Sequence, residues 1–385
     1  QAANLMIRNL ETAGNNYTNC DIANDLGIGR LFTSSVVANG FIYLIGGCTN
    51  NACSTISDGV MYTGIDADGN LARLTACPAG TFDINGWCDV SAGIPPTAGA
   101  SVVVFDDTIY IIGGFSSGAL QDSITRASLD PLNGLVGATT TQTMTSVGAT
   151  PMSRGFATVR ANPAGGGTTP ANLYLFGGCT TTNEGCTTFT DAVYKCDIGS
   201  TGAVSACTTS GQLQIGTLPA QTNGTPSGAG LGLASGTVYG DYIYLIAGAT
   251  PGVSAINTVR YAKFDNSNNV VTAEVSGWTQ SASILPVAVQ GATSYGYNGY
   301  LYLVGGYDSA TTAVVDTVSF AKINTDSGDL DVTGWNTSAT TLTTGRWGSF
   351  AIAANGIVYV IGGCTAGAAL TSCSNRTSVI ERYKI

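Results

Sequence analysis

"FIYLIGGC" spans residues 41–48, a β-branched and aromatic run that ends in two glycines. Nearly the same run returns five times, as "TIYIIGG" (108–114), "NLYLFGG" (172–178), "YIYLIAG" (242–248), "YLYLVGG" (300–306) and "IVYVIGG" (357–363). The tyrosine inside each run is a marker, giving Tyr43, Tyr110, Tyr174, Tyr244, Tyr302 and Tyr359, spaced 57 to 70 residues apart. That period is long for a helical solenoid and sufficient for four strands with generous loops. The spacing therefore predicts six copies of one β unit.

Signals inside each unit come in a fixed order. A strand-like stretch such as "SSVVANG" precedes the glycine-ended run, and units one, five and six join the two through "ANGF", "YNGY" and "ANGI". Asn-Gly dipeptides tolerate positive φ and favour short hairpins. After the double glycine comes a polar loop and then a third strand: "SDGVMYTGI", "DSITRASL", "TDAVYKCDI", "INTVRYAKF", "DTVSFAKI" and "TSVIERYKI". A turn follows, as in "DADGN", "DPLNG", "GSTG", "DNSNN" and "NTDSGD", and then a fourth strand. Units one, four and five carry a Gly-Trp pair soon after, at Gly86-Trp87, Gly277-Trp278 and Gly334-Trp335.

This arrangement resembles the kelch repeats of β-propellers. The resemblance rests on a hydrophobic strand ending in Gly-Gly, a downstream aromatic in the third strand, and a tryptophan after the third-to-fourth hairpin. It covers essentially the whole chain. Ala247 replaces the first glycine in unit four, and units two, three and six lack the tryptophan. The resemblance implies an all-β fold: a six-bladed β-propeller of four-stranded antiparallel blades around a central channel, forming one domain over residues 1–385. Independently of any family, glycine inside a strand region marks close backbone approach, as expected where blades converge on an axis.

The sixth unit reaches Ile385 just after its third strand, while the N-terminus offers "ANLMIRNL" at residues 3–10. The expectation is that this N-terminal strand, within a lead-in over residues 1–30, completes the last blade and closes the ring without a raw sheet edge.

Hydrophobic residues make up 44% of the 385 and charged residues 10%, with 52 glycines. That much apolar surface fills a core, and disorder is excluded. Fourteen Lys plus Arg against 24 Asp plus Glu leave a net charge of −10 without any basic run, which argues against nucleic acid as a partner. No apolar stretch reaches the roughly eighteen residues of a membrane span. No signal-peptide pattern stands at Gln1, so an extracellular location implies prior removal of a signal or leader segment.

Eleven cysteines are present and histidine is absent, with no Cys-x-x-Cys pair, so zinc is disfavoured. Cys48 and Cys53, Cys179 and Cys186, and Cys364 and Cys373 each close a short loop just after a double glycine. Cys196 and Cys207 flank "DIGSTGAVSA", which reads as a hairpin, and Cys77 and Cys88 flank "PAGTFDINGW". Five local disulfides in an oxidising compartment are expected. Cys20 is left over, as a free thiol or an intermolecular link.

The resemblance implies a family that includes copper-dependent galactose oxidase, but the missing histidine removes that copper-radical site and every Ser-His-Asp or Cys-His arrangement. The sialidase signature Ser-x-Asp-x-Gly-x-Thr-Trp is absent as well. Arg30, Arg154 and Arg346 lie near the starts of first strands, where three guanidiniums could grip an anionic ligand bidentately. The competing expectation is that they bond loop carbonyls of their own or a neighbouring blade. Trp347, beside Arg346, is a candidate contact for a sugar or protein, whereas Tyr297 and Tyr300 fit blade packing better. The acidic turns "DADGNL" and "NTDSGDLD" share parts of calcium loops, but hairpin chemistry accounts for them. Asn16, Asn223, Asn336 and Asn375 match the glycosylation pattern.

Two classes of function follow. The favoured expectation is a non-catalytic extracellular binding or structural module, displayed on a cell surface, filament or appendage. It contacts protein or glycan at a propeller face and assembles as a homo-oligomer or filament, with Cys20 as a possible covalent link. The alternative is a secreted carbohydrate-active enzyme using carboxylates such as Asp106 and Asp107 at one end of the propeller. No cofactor is expected beyond the minor calcium option.

Overall fold

The computed structural model describes residues 8–9, 26–72, 74, 77–78, 82–84, 86–90, 93–162, 168–181, 186–208, 230–250, 255–264, 270–271, 278–367 and 373–384. They form six radially arranged antiparallel sheets, as the six glycine-ended runs predict. Blade 1 is built from Ser34–Ala38, Phe41–Ile45, Val60–Gly64 and Trp87–Val90, with Phe82–Ile84 added outside. Blade 2 holds Ser101–Phe105, Thr108–Ile112, Ile124–Leu129 and Val136–Gln142, and blade 3 holds Phe156–Ala161, Ala171–Phe176, Val193–Ile198 and Val204–Thr208. In blade 4, Ser235–Tyr239, Tyr242–Ile246 and Val259–Phe264 are followed by two short pieces, Val270–Val271 and Thr279–Gln280, that both pair with the third strand. Blade 5 comprises Thr293–Tyr297, Tyr300–Val304, Val318–Lys322 and Asn336–Thr337. Blade 6 comprises Phe350–Ala354, Ile357–Ile361 and Ile380–Lys384.

Each inner strand neighbours the inner strand of the next blade, and Phe350–Ala354 of blade 6 neighbours Ser34–Ala38 of blade 1. Arg8–Asn9 pairs antiparallel with Ile380–Lys384, in the register Arg8↔Lys384 and Asn9↔Tyr383. The rest of the 3–10 segment and the lead-in to residue 25 lie outside the described residues, as do Cys20, Asn16 and Asn223.

The second strand of every blade is apolar on both faces because both faces are covered. In "FIYLI", Ile42 and Leu44 pack toward blade 6, while Tyr43 and Ile45 pack toward blade 2. Side chains alternate across a strand, so a strand sandwiched between two neighbours shows a continuous hydrophobic run instead of period-two alternation. Six inter-blade cores result, and Trp87 and Trp278 each close one from an outer strand. The Asn-Gly turns behave as their composition demands: Asn39, Asn298 and Asn355 sit at φ 53°, 47° and 51°. Asp106 and Asp107 adopt the same conformation in blade 2, at 47° and 53°.

The double glycine ends the second strand where the next blade comes closest. Gly46 takes φ 61°, and a Cβ there would stand 1.9 Å from the Thr97 carbonyl oxygen of blade 2. The Gly47 amide instead donates to that same carbonyl at 2.8 Å. Ala247 keeps φ 58° in blade 4, with its methyl packed between blades 4 and 5.

Three of the marker tyrosines lock one blade to the next. Tyr110 donates to the Gly202 carbonyl at 3.1 Å, Tyr244 to that of Gly328 at 2.8 Å, and Tyr359 to that of Gly69 at 2.6 Å. Each acceptor lies in the turn between the third and fourth strands of the following blade. This is what the acidic turns do. The Asp66 carboxylate accepts from the Asp68 and Asn70 amides, and Asn324 accepts from Asp326, which shapes the turns that present those carbonyls. Tyr302 differs: its ring stacks on Tyr295 at 4.8 Å and its buried hydroxyl has no hydrogen-bond partner. Tyr359→Phe should therefore lower stability by about 1–2 kcal/mol, whereas Tyr302→Phe should be neutral or slightly stabilising. Urea midpoints of the two variants check this; equal losses would contradict the assignment.

Candidate functional site

The blades meet at a hub built from one residue of each: Phe32, Gly99, Arg154, Leu233, Gly291 and Gly348. All six have positive φ, between 52° and 63°. Their amides point around the ring. Gly99 donates to Phe32 at 2.8 Å, Arg154 to Gly99 at 2.7 Å, Gly291 to Leu233 at 3.0 Å, Gly348 to Gly291 at 2.7 Å, and Phe32 to Gly348 at 3.1 Å. Phe32, Arg154 and Leu233 hold a conformation that side chains seldom adopt. Strain of this kind persists where the surroundings over-determine it, and it gathers at binding sites.

Below this ring the inner strands open a cavity of about 160 Å³, lined by small side chains from every blade. Among them are Ser34, Ser101, Ser235, Thr293, Ser294 and Ser349. Several hydroxyls tie blades together: Ser34 donates to the Ala100 carbonyl, Ser101 to that of Gly155 at 3.1 Å, and Thr293 accepts from the Ala351 amide at 2.8 Å. Ser294 and Ser349, on adjacent blades 5 and 6, are buried with hydroxyls that have no hydrogen-bond partner. Phe156 and Phe350 add apolar surface.

The structure separates the three arginines. Arg154 lines the mouth, with its guanidinium carbon 5.0 Å from the ring centres of both Phe32 and Phe115. Arg30 and Arg346 are turned into their own blades. Arg30 Nη1 donates to the Gly46 carbonyl at 2.8 Å, and Nη2 lies 3.1 Å from Met61 Sδ. Arg346 donates to the Gly362 and Val379 carbonyls, each at 3.2 Å, and forms a buried ion pair with Glu381. Thr97 repeats the motif in blade 2, donating to the Gly113 carbonyl at 3.1 Å. The role is to satisfy the carbonyl of the first glycine. The hub ring places Met152, not Arg154, at the position of Arg30 and Arg346.

Trp347 is fully buried, edge-on to Phe32 at 5.7 Å and to Tyr307 at 6.4 Å. It belongs to an apolar cap over the hub with Leu31, Phe115 and three disulfides, Cys48–Cys53, Cys179–Cys186 and Cys364–Cys373. Cys48, Cys179 and Cys364 hold the place that Phe115, Ala249 and Tyr307 hold in the other blades. Cys77–Cys88 and Cys196–Cys207 staple outer strands. Asp106 and Asp107 are exposed on the tip of a hairpin, at the far end of the inner strand from the cavity, and Asn39 donates to Asp107 at 2.8 Å. Asn336 and Asn375 are exposed. Sequence reasoning missed the hub ring and the hydroxyls of Ser294 and Ser349; only the hub has a constant offset, two residues before each inner strand, that could have exposed it.

A kelch-motif family profile matches residues 96–125, the first two strands of blade 2 and the start of its third. The same strand order recurs in all six blades, and the glycine pair in all but blade 4, where Ala247 takes the first place. The fold is a six-bladed β-propeller, with a kelch motif in blade 2. Among solved chains with this fold, one titled "Structure of YjhT" covers 93% of this chain and 95% of its own, with a TM-score of 0.58 and 15% identity. At that identity the likeness concerns the fold alone. No curated protein sequence matches the chain significantly. Five disulfides suggest an extracellular, oxidising environment for the propeller. No helix among the described residues is long and apolar enough to cross a membrane.

Proposed function

We propose that this propeller is a non-catalytic extracellular binding module, displayed on a cell surface, filament or appendage. It takes the end group of a glycan at the channel mouth. The observation that carries this is the pair of unpartnered buried hydroxyls, Ser294 and Ser349, in a cavity whose one charged lining group is Arg154. Hydroxyl donors beside aromatic and apolar surface suit a sugar ring. The cavity is smaller than the roughly 300 Å³ lower end of drug-sized pockets, so it accommodates one terminal residue of a larger molecule. The acidic pair weighed for an enzyme, Asp106 and Asp107, is remote from this cavity.

A glycan array with the native propeller tests the proposal, followed by titration of the best binder against Ser294→Ala and Ser349→Val. Each substitution removes one hydrogen bond and should weaken binding about tenfold. Unchanged affinity in both variants moves the ligand elsewhere. Cleavage or rearrangement of bound glycans, read by mass spectrometry, rejects the non-catalytic assignment.

A further inference from the structure

Blade 4 buries a cation that no side chain among the described residues answers. Arg260, on the third strand Val259–Phe264, is 1% exposed, and its Nε, Nη1 and Nη2 all lack a hydrogen-bond partner. Burial pulls its pKa down to about 10, which leaves it charged at neutral pH. The same strand position holds Met61, Thr125, Tyr194, Ser319 and Glu381 in the other blades. Blades 1 and 6 also place an arginine next to that position: Arg30 lies against Met61 in blade 1, and Glu381 answers Arg346 through an ion pair in blade 6. Among the described residues of blade 4, no acid answers Arg260.

Other donors share its face. Ala262 and Phe264, two and four residues on, pack with Tyr174, Phe176 and Val193, so alternation aims Arg260 at the gap between blades 3 and 4. Gln280 pairs with Arg260 in register, and Trp278, two residues before it, packs into the same gap, 5.7 Å from Phe176. Trp278 Nε1 and Thr258 Oγ1 are likewise buried without partners. Buried charges are found paired, and buried donors are found satisfied, because the cost of leaving them otherwise is high.

We propose that Arg260 anchors a buried binding site for a small monovalent inorganic anion of halide type between blades 3 and 4, with Trp278 and Thr258 as further donors. A guanidinium, an indole N–H and a hydroxyl are all donors, which fits an anion and excludes a cation.

Crystals of the native protein soaked in bromide test this. The expected result is an anomalous peak in contact with the Arg260 guanidinium; its absence overturns the proposal. Thermal unfolding supplies the second reading. Replacing gluconate by chloride at constant ionic strength should raise Tm by roughly 1–2 °C, for a halide present at several times its Kd. Arg260→Met should abolish that rise. An equal rise in Arg260→Met assigns the stabilisation to another site and counts against the proposal. If Arg260→Met fails to fold, the bromide peak in the native protein still decides.

Discussion

Above about pH 10 the propeller should lose stability steeply and unfold in one step near pH 11, with tyrosinate absorbance appearing together with loss of sheet signal. Tyr43, Tyr244, Tyr295, Tyr302 and Tyr359 are almost wholly buried. Burial pushes all five phenols up, with nearby tyrosines adding to the effect on Tyr43, Tyr244, Tyr295 and Tyr302. Tyr359 rises to about 12, with Arg382 opposing the rise. Each folded value lies above the unfolded one near 10. The stabilisation is therefore fully present below that pH and is lost as pH climbs toward the folded values. With allowance for screening at the ring edges, each tyrosine contributes about 1 kcal/mol near pH 11, or roughly 5 kcal/mol together. That is a large share of the 5–15 kcal/mol that holds an ordinary domain together. Gradual tyrosinate formation around pH 10 with the sheet signal intact would contradict the interlocked rings.

Arg346→Met should cost about 3–5 kcal/mol, the largest effect expected of any single substitution considered. Arg346 and Glu381 are 1% and 3% exposed, and the substitution strands a carboxylate between blades with no cation to answer it. Glu381 would retain only the Thr343 amide at 2.9 Å and the Tyr383 hydroxyl. The Gly362 carbonyl loses its donor at the same time, and the Val379 carbonyl keeps only the Gly362 amide. The double variant Arg346→Met/Glu381→Leu should recover part of the loss, because an apolar pair of similar volume escapes the desolvation cost. Chemical denaturation of the three variants gives the comparison. A single variant within 1 kcal/mol of the parent would show that the pair is hydrated.

The blades were legible because one physical constraint acts six times on the same residues. A strand covered on both faces must be apolar throughout, and a backbone touching its neighbour must be glycine, so the motif survives even where Ala247 intrudes. The hub was not legible, because its constraint is on φ and main-chain bonding. Residues as unlike as Phe32, Arg154, Leu233 and glycine all meet it. The same blindness grouped Arg154 with Arg30 and Arg346, although an offset of two residues sends it to the mouth and not into its blade. Trp347 looked like a surface contact because an arginine precedes it; that arginine is itself interior. Arg260 carried no sequence signal at all, since alternation in "INTVRYAKF" is equally compatible with an exposed side.

Five of the six hub amides donate the same way around the axis, so blades 1, 2, 5 and 6 are each donor to one neighbour and acceptor from the other. Removing one of these blades therefore breaks the circuit at two places and leaves dangling polar groups on blades that were not touched. Linear repeat arrays can lose a terminal unit and remain folded. This molecule cannot be shortened by one module, and a protease that excises a blade should leave no stable five-membered remnant.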